Sequence, residues 1–472
     1  MTISKSDYDL AVIGAGPGGY HAAVLGAQQG MRVLLVEKGT LGGTCLNRGC
    51  IPTKSFVHDT RVLAAARESG VLTGKSGLGI DIGLMVARKN KVVAANVGGL
   101  EAIIRSRGID IAIGLGELSG PGCIKVRSAI GEPQTYHARN IILANGSRPA
   151  VPGFITVDGE VVQTTDQALN PGAIPDKMAI IGGGVIGMEF ASIFQALGAK
   201  VTVIEMLPDI LVSEDPEIRK LLERSLKRHD IAVHYSARVT RVERDENGAV
   251  VHFTDSKDTP QRLAVSRVLV ATGRAPVLDG LSPQQNGLAM NGPYVKVNER
   301  METSLPGVFA IGDLVGGMML AHKASAEAEI VIANLSGHGT KRIDNNLIPR
   351  CIWCIPEIAA VGMTEAQALE TGRRVRVGRF PFSNSGKAHA VAATEGLVKI
   401  VADQDSGEIL GVHMIGEHVT ELLAQPLLAM TMESAVEDLA AVIMPHPTLS
   451  EVIKEAALDW DGRAIHLPLK KG

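Results

Sequence analysis

The chain has 472 residues, more than one hydrophobic core normally accommodates, so we expect several domains. Its composition is that of an ordinary globular protein, and the net charge of −3 gives no electrostatic basis for binding nucleic acid. Apolar runs of about 18 residues are absent, and the polar N-terminus (Met1–Asp9) lacks a signal-peptide pattern. We therefore expect a cytoplasmic protein that does not enter a membrane.

The first informative segment is a nucleotide-binding pattern near the N-terminus. An apolar strand enters a Gly-x-Gly-x-x-Gly turn formed by Gly14, Gly16 and Gly19, and an alanine-rich helix follows. The next predicted strand (Arg32–Val36) ends at Glu37, which follows Gly14 by 23 residues. Glycines let a pyrophosphate approach the helix N-terminus, and the acid can accept hydrogen bonds from ribose hydroxyls. The spacing therefore predicts a dinucleotide site.

A pair of cysteines, Cys45 and Cys50, follows this strand closely. The five cysteines of the chain are too few and too scattered for a structural disulfide framework. In a regular helix the two Cα atoms would stand about 8 to 9 Å apart, beyond the roughly 4.4 to 6.8 Å that a disulfide tolerates. A bridge therefore requires irregular backbone, which Gly49 and Pro52 can provide. Such a bridge should be readily reduced, and a helix beginning near Cys50 favours a thiolate there.

The nucleotide pattern occurs a second time, with Gly182, Gly184 and Gly187 in the turn and Glu205 again 23 residues after the first glycine. The predicted elements are strand Lys177–Ile181, helix Met188–Leu197 and strand Lys200–Ile204. A carboxylate at Glu205 suits the free 2′-hydroxyl of NAD and repels the 2′-phosphate of NADP. No arginine lies between Glu205 and Arg219 to accommodate that phosphate, so NAD is the expected ligand.

Two further cysteines, Cys351 and Cys354, form a Cys-x-x-Cys pattern in an apolar run (Arg350–Ile355) that predicts a strand. Alternate residues of a strand face opposite sides, so an offset of three separates the two thiols. We expect neither a redox nor a metal role for this pair, and no metal site elsewhere. Cys123 is expected to be an inert thiol.

The C-terminal region contains His446 within Pro-His-Pro-Thr-Leu-Ser-Glu, which ends at Glu451. Histidine exchanges protons near neutral pH, because its unperturbed pKa is about 6.5. A carboxylate can orient the imidazole and stabilise its charged form. The pair is therefore a candidate base with its orienting acid.

Two segments, Thr44–Lys54 and Pro445–Glu451, resemble the redox and histidine signatures of the pyridine nucleotide-disulfide oxidoreductases, most closely those of the dihydrolipoyl dehydrogenase family. The resemblance implies an α/β fold with two Rossmann-like dinucleotide-binding domains and a C-terminal α+β dimerisation domain. The NAD domain is expected to be inserted in a discontinuous FAD domain. The implied boundaries are 1–148 and 276–346 for the FAD and central domain, 149–275 for the NAD domain and 347–472 for the dimerisation domain.

The resemblance also implies roles for individual residues. Cys45 would exchange with substrate thiols, Cys50 would form a charge-transfer contact with the flavin, and Lys54 would lie near the flavin and pair with Glu189. The implied FAD-binding residues are Gly14, Gly16, Gly19, Glu37, Lys54, Gly146 and Asp313, and the implied NAD-binding residues are Gly182, Gly184, Gly187, Glu205 and Gly273.

The activity implied by the resemblance is oxidation of dihydrolipoamide to lipoamide, with FAD and NAD as cofactors. His446 and Glu451 would act across a homodimer interface on the partner's disulfide. The implied substrate carrier is a lipoyl-bearing protein, such as a 2-oxo acid dehydrogenase acyltransferase or a glycine-cleavage H protein. Two alternatives stay open: a related reductase with another disulfide substrate, and a low-turnover flavoprotein subunit that binds a lipoyl carrier. The departures Met444-Pro445 and Trp353-Cys354 leave the partner unassigned.

Overall fold

A computed structural model describes residues 7–338 and 342–468. The expectation that the N-terminus carries no signal peptide rests mainly on residues 1–6, which lie outside the described residues. Six sheets are formed by the described residues, and the three largest, with their helices, organise the molecule. We call residues 8–149 and 274–335 the first dinucleotide unit, residues 162–270 the second dinucleotide unit, and residues 350–460 the C-terminal unit. Within the described ranges, no helix combines the length and hydropathy needed to cross a membrane.

The first dinucleotide unit begins with a sheet in the order β3-β2-β1-β6-β5-β4. Its strands are β1 (Tyr8–Ile13), β2 (Val33–Glu37), β3 (Asp110–Ile113), β4 (Leu115–Leu118), β5 (Cys123–Arg127), β6 (Gln134–Leu143) and the separate β7 (Ser147–Pro149), and its helices are α1 (Pro17–Gln28), α2 (Gly43–Arg48), α3 (Cys50–Glu68) and α4 (Ile82–Ser106). The strands β3, β2, β1 and β6 run parallel, and β1 and β2 are buried along most of their length. Helices α1 and α4 pack on one face of β1 and β2, and the β4-β5 hairpin packs over the other. Because both faces are covered, these strands are almost wholly apolar.

The second dinucleotide unit is a five-stranded parallel sheet in the order β11-β10-β9-β15-β8, flanked by the antiparallel sheet β12-β13-β14. Its strands are β8 (Val162–Gln163), β9 (Lys177–Ile181), β10 (Lys200–Ile204), β11 (Ala232–His234), β12 (Arg238–Asp245), β13 (Gly248–Thr254), β14 (Pro260–Val265) and β15 (Arg267–Val270), and its helices are α5 (Thr165–Ala168), α6 (Val185–Leu197) and α7 (Pro216–Arg228). The predicted bounds of β9 and β10 are confirmed. The helix α6 begins three residues earlier than predicted, because the extended Gly184 caps it directly.

The chain then returns to the first dinucleotide unit. The elements of this stretch are β16 (Arg274–Pro276), α8 (Pro283–Asn286), β17 (Met290–Asn291), β18 (Tyr294–Val295), β19 (Val308–Ala310) and α9 (Ala321–Leu335). β16 pairs antiparallel with β7, and β19 adds to the first sheet beside β6. One dinucleotide unit is therefore inserted in the other.

The C-terminal unit is an antiparallel sheet in the order β20-β21-β24-β23-β22 with helices around it. Its strands are β20 (Arg350–Ile352), β21 (Glu357–Gly362), β22 (Val375–Pro381), β23 (Leu397–Asp403) and β24 (Ile409–Gly416), and its helices are α10 (Glu365–Glu370), α11 (Gly386–Ala390), α12 (Val419–Leu422), α13 (Ala424–Thr431), α14 (Val436–Ala441) and α15 (Glu451–Trp460). Residues of α15 pack into the core beneath this sheet. Together with the two dinucleotide units, it confirms the predicted fold class.

The predicted strand Arg350–Ile355 is wrong beyond Ile352, where β20 ends. The following amides bond to α6 instead of the sheet, because Trp353 donates to Glu189 and Ile355 donates to Ser192. The thiols still lie on different sides of the segment: Cys351 packs against the C-terminal core and Cys354 against the core that contains α6. Burial raises the pKa of both thiols, that of Cys351 to about 12.

An ion pair joins each dinucleotide unit to the C-terminal unit, part-buried in the first case and fully buried in the second. In the first unit, Arg61 of α3 contacts Glu357 of β21. In the second, Lys399 of β23 lies 2.9 Å from Asp215, which caps α7. Burial opposes ionisation of Asp215, but its hydrogen bonds from Lys399 hold the pKa of that carboxyl below its ordinary value.

Candidate active site

The first glycine turn leaves no room for side chains on its inner side. Gly14 has a φ of +102°, and a Cβ there would stand 2.3 Å from the carbonyl oxygen of Ala144. A Cβ on Gly19 would lie 1.8 Å from the carbonyl oxygen of Gly14. Gly16 differs, because the nearest atom to a Cβ there is 4.0 Å away, so the N-terminus of α1 is open on that side.

The second glycine turn repeats these restrictions. Gly182 has a φ of +109°, and a Cβ there would stand 2.4 Å from the carbonyl oxygen of Ala271. A Cβ on Gly187 would lie 2.0 Å from the carbonyl oxygen of Gly182, whereas nothing lies within 4 Å of one on Gly184. Both turns therefore expose a helix N-terminus across a glycine that has free space, which is the shape a pyrophosphate requires.

The acid at the end of each second strand is oriented by backbone amides. Glu37 accepts hydrogen bonds from Ala15 and Gly39, both at 2.8 Å. Glu205 accepts from Gly183 at 2.5 Å and from Leu207 at 2.7 Å. A carboxylate has about four acceptor positions, so each acid retains capacity for ribose hydroxyls. We call each glycine turn together with its acid a cradle: Gly14–Gly19 with Glu37, and Gly182–Gly187 with Glu205. Both cradles fit dinucleotides.

Asp313 lies in the turn after β19, beside the paired strands β7 and β16 that connect the two dinucleotide units. The Ser147 hydroxyl donates to the Asp313 carboxylate, and Arg274 Nε donates to Ser147 Oγ at 2.6 Å. Arg274 Nε also lies 3.7 Å from Asp313. Sequence reasoning named only the glycines before these side chains, Gly146 and Gly273. The adjacent Ser147 and Arg274 were missed, although a polar residue directly after each of these two glycines was a usable signal.

The backbone between the two N-terminal cysteines is broken as expected. α2 ends at Arg48, Gly49 adopts a non-helical conformation (φ −134°, ψ −112°), and α3 begins at Cys50. Pro52 lies in the first turn of α3, where a helix tolerates proline, and its missing amide could not bond to the Arg48 carbonyl if α2 and α3 were one continuous helix. Cys45 is half-buried, Cys50 is exposed, and both thiols are free.

The two thiols differ in acidity. The hydrogen bond to Cys50, and then burial, raise the pKa of Cys45. The hydrogen bond from Cys45 lowers the pKa of Cys50 to about 7; Lys54 also lowers it, while burial and Glu189 oppose the change. The N-terminus of α3 begins at Cys50, and a helix N-terminus favours a thiolate. Cys50 is therefore the thiol of the pair that ionises more readily.

Lys54 and Glu189 form a part-buried ion pair beside these thiols. Lys54 Nζ lies 2.9 Å from each oxygen of Glu189, which joins α3 to α6. Two aromatic residues that sequence reasoning did not assign to the site complete this region. The indole of Trp353 covers Lys54. Burial, and then electrostatic repulsion from the two neighbouring cysteines when they ionise, raise the pKa of Tyr20. The contact of Trp353 joins distant segments, so no local pattern indicated it.

His446 and Glu451 lie together at the start of α15. His446 Nδ1 stands 2.9 Å from one oxygen of Glu451, and the Thr448 amide donates to the other at 2.8 Å. Burial opposes ionisation of Glu451, but these two hydrogen bonds hold its pKa below the ordinary value. The His446 side chain is 79% exposed. Among the described residues of one chain, no hydrogen bond or ion pair links His446 to either cysteine of the redox pair.

Taken together, two dinucleotide cradles, an asymmetric dithiol and an oriented histidine define a nucleotide-dependent dithiol oxidoreductase. Comparison with known proteins agrees. Residues 8–328 match the family described as pyridine nucleotide-disulphide oxidoreductase, and residues 348–457 match the dimerisation domain of that family. The chain belongs to this family, whose members bind FAD and a pyridine nucleotide.

Individual relatives narrow the comparison. The chain is 39% identical to dihydrolipoyl dehydrogenase of Chlorobaculum parvum, covering 96% of this chain and 97% of that protein. It resembles the structure of LpdA of Mycobacterium tuberculosis with a TM-score of 0.88 at 27% identity, covering 95% of this chain and 99% of that one. A Cu(II) complex of the flavoprotein disulfide reductase RclA of Escherichia coli gives a TM-score of 0.87 at 28% identity, covering 96% and 99%.

Proposed function

We propose that this chain oxidises protein-bound dihydrolipoyl groups to lipoyl groups, with FAD as its flavin and NAD as the final electron acceptor. The observation that carries the proposal is the asymmetric placement of the dithiol, with Cys45 in α2 and Cys50 at the N-terminus of α3, one turn before Lys54, where Cys50 is the more acidic thiol. Such a pair can exchange with a substrate dithiol through one sulfur and pass on electrons from the other. The relative named dihydrolipoyl dehydrogenase supports the choice of substrate.

The exchange begins with the Cys45–Cys50 disulfide. The partner subunit's His446 accepts the proton of one substrate thiol at Nε2, since Nδ1 is engaged by Glu451. The substrate thiolate attacks Cys45 Sγ, the Cys45–Cys50 bond breaks, and Cys50 leaves as a thiolate. The second substrate thiol attacks the substrate sulfur of the mixed disulfide, and its proton passes to the departing Cys45. The substrate leaves oxidised, and the two electrons stay on the Cys45–Cys50 pair.

The cradles assign the cofactors to the two units. The residues that would hold FAD are those of the Gly14 turn, Glu37 and the Asp313 cluster, and those that would hold NAD are the Gly182 turn and Glu205. FAD, when bound, supplies the acceptor for the two electrons of the dithiol, and NAD supplies the final hydride acceptor. The carboxylate of Glu205 favours NAD over NADP, because it repels a 2′-phosphate.

The C-terminal unit is the dimerisation domain of the family and supports a homodimer. A working site shared between subunits explains why His446 is exposed in one chain and bonded to no cysteine of the redox pair in the same chain. As partner we propose a lipoyl-bearing carrier protein, because a swinging lipoyl group can enter such a shared site. The sparse cysteines also favour a cytoplasmic location, and the sheets support domain boundaries near residues 148, 275 and 346.

The test is NAD reduction by dihydrolipoamide with the purified holoenzyme. Cys50→Ser should lower the rate at least about 1,000-fold, because the thiolate that leaves in the exchange is lost. Flavin content should stay at the wild-type level. Cys123→Ser, on β5 outside the site, is the matched control and should retain the wild-type rate.

Full turnover by Cys50→Ser would contradict the proposal. The two alternatives predict different results for the wild-type protein. A reductase with another disulfide substrate would turn over glutathione disulfide or a protein disulfide faster than lipoamide. A low-turnover carrier-binding subunit would bind a lipoyl domain but reduce NAD hardly at all.

A further inference from the structure

Trp353, in the turn after β20, contacts both members of the Lys54–Glu189 pair. Its amide donates to Glu189 Oε1 at 3.0 Å, and its indole ring lies over the ammonium of Lys54, with 4.2 Å between Nζ and the ring centroid. Two residues later the amide of Ile355 donates to Ser192 in α6 at 3.2 Å. The turn is therefore bonded to α6 at two points, which fixes the position of the indole.

The ammonium of Lys54 is thus held from two directions. Glu189 contacts it with both oxygens, and the ring of Trp353 covers another side. Lysine has a flexible four-carbon stem and rotatable donors, so a single carboxylate leaves the ammonium free to swing around it. A tryptophan face attracts a cation more strongly than the other aromatic rings do. The ring therefore limits the ammonium to one position.

That position matters because Lys54 follows Cys50 by one turn of α3. The titratable groups that act on the Cys50 thiol come from three helices: Cys45 from α2, Lys54 from α3 and Glu189 from α6. Tyr20 from α1 also faces the two thiols, which contribute to its raised pKa. Within the described residues, Lys54 is the cation of this group. An ammonium that moves towards solvent leaves the charge of Glu189 uncompensated beside the sulfur, and this disfavours a thiolate.

We propose that Trp353 is a positioning residue that keeps the Lys54 ammonium next to Cys50, so that Cys50 carries the negative charge of the reduced dithiol. The proposal rests on the proposed function, in which that thiolate passes on the electrons. The indole acts through Lys54, since it contacts Lys54 directly and its own amide holds Glu189.

The test is the pH dependence of Cys50 alkylation by iodoacetamide in the reduced holoenzyme, measured by mass spectrometry of the peptide that carries it. The thiolate reacts and the thiol does not, so the wild-type rate should have a midpoint at about pH 7. Trp353→Met fills the space without a ring face and should raise the midpoint by about half a pH unit. Alkylation at pH 7 then falls about twofold. Trp353→Phe retains a weaker ring face and should lie between the two.

A second series separates this role from simple packing. In a Lys54→Met background, Trp353→Met should add no further shift, because the group through which the indole acts is absent. An equal shift in that background would overturn the proposal, as would an unchanged midpoint in Trp353→Met with wild-type flavin content and melting temperature. If Trp353→Met does not fold, Trp353→Phe alone decides by its midpoint. Alkylation requires no dihydrolipoamide, so a wild-type enzyme inactive on lipoamide would refute the proposed function without affecting this readout.

Discussion

The two dinucleotide units share a local design down to single hydrogen bonds. In each, the first glycine has a positive φ and lies against a carbonyl oxygen of the neighbouring strand's end. In each, the acid accepts one amide from the residue after that glycine and one from the second residue beyond the acid itself. The same sequence spacing therefore produces the same cradle twice.

The units differ in the segment that comes after the acid. After Glu37 the chain forms α2 and α3, which carry the cysteines, and Glu37 remains partly accessible. After Glu205, which is 9% exposed, it forms a loop with exposed Met206 and Leu207. The motif thus determines how a nucleotide is held, whereas the segment after it determines whether chemistry happens beside that nucleotide. Only the first unit has a dithiol there.

The largest expected effect concerns how each unit is fastened to the C-terminal unit. Lys399→Met removes one partner of a fully buried pair and should destabilise the protein by about 3–5 kcal/mol, because Asp215 is left charged and buried. Arg61→Met should cost less, about 1–3 kcal/mol, because Glu357 keeps two hydrogen bonds from Thr420. Melting temperatures of the holoenzyme measure both. A larger drop for Arg61→Met would reverse this comparison.

The next effect separates the cradles themselves. Gly14→Ala should give a protein with little bound flavin, whereas Gly182→Ala should stay yellow and lose NAD reduction by roughly 100-fold, because each new Cβ meets a carbonyl oxygen. Flavin absorbance measures the first outcome, and the steady-state rate of NAD reduction measures the second. Gly30→Ala is the control, since Gly30 has a φ of +78° but nothing within 4 Å of a Cβ. Loss of flavin from Gly182→Ala would show that the units do not bind their nucleotides independently.

The smallest effect concerns the two acids. Glu205→Gln should raise the KM for NAD about tenfold, because an amide replaces one acceptor of a charge-assisted hydrogen bond by a donor that faces a backbone N–H. Discrimination against NADP should weaken in the same variant. Glu37→Gln should leave the KM values for NAD and NADP unchanged and should weaken the binding of the flavin instead. A matching rise in the KM for NAD in Glu37→Gln would contradict the assignment of the cradles.

Most of the local design could be predicted from the sequence. The glycine turns, their acids and the break between Cys45 and Cys50 depend on contiguous residues, whose conformations are set by backbone sterics and spacing. The errors occurred where a distant partner competes with the local pattern. The run after Arg350 has the composition of a strand, yet Trp353 and Ile355 leave the sheet because α6 offers them acceptors.

The sequence by itself determined two nucleotide cradles, a reactive cysteine pair and a histidine with its acid, because each of these is written within a few dozen consecutive residues. Only the tertiary structure decided which side chains meet between segments. It brings Ser147 and Arg274 to Asp313, Asp215 to Lys399, and Trp353 to Lys54. These contacts span from tens to about 300 positions, and no periodicity encodes them, because they depend on how whole units pack. The charge on Cys50, which the chemistry requires, depends on the local sequence, which starts a helix at Cys50, and on the tertiary contacts that hold Lys54.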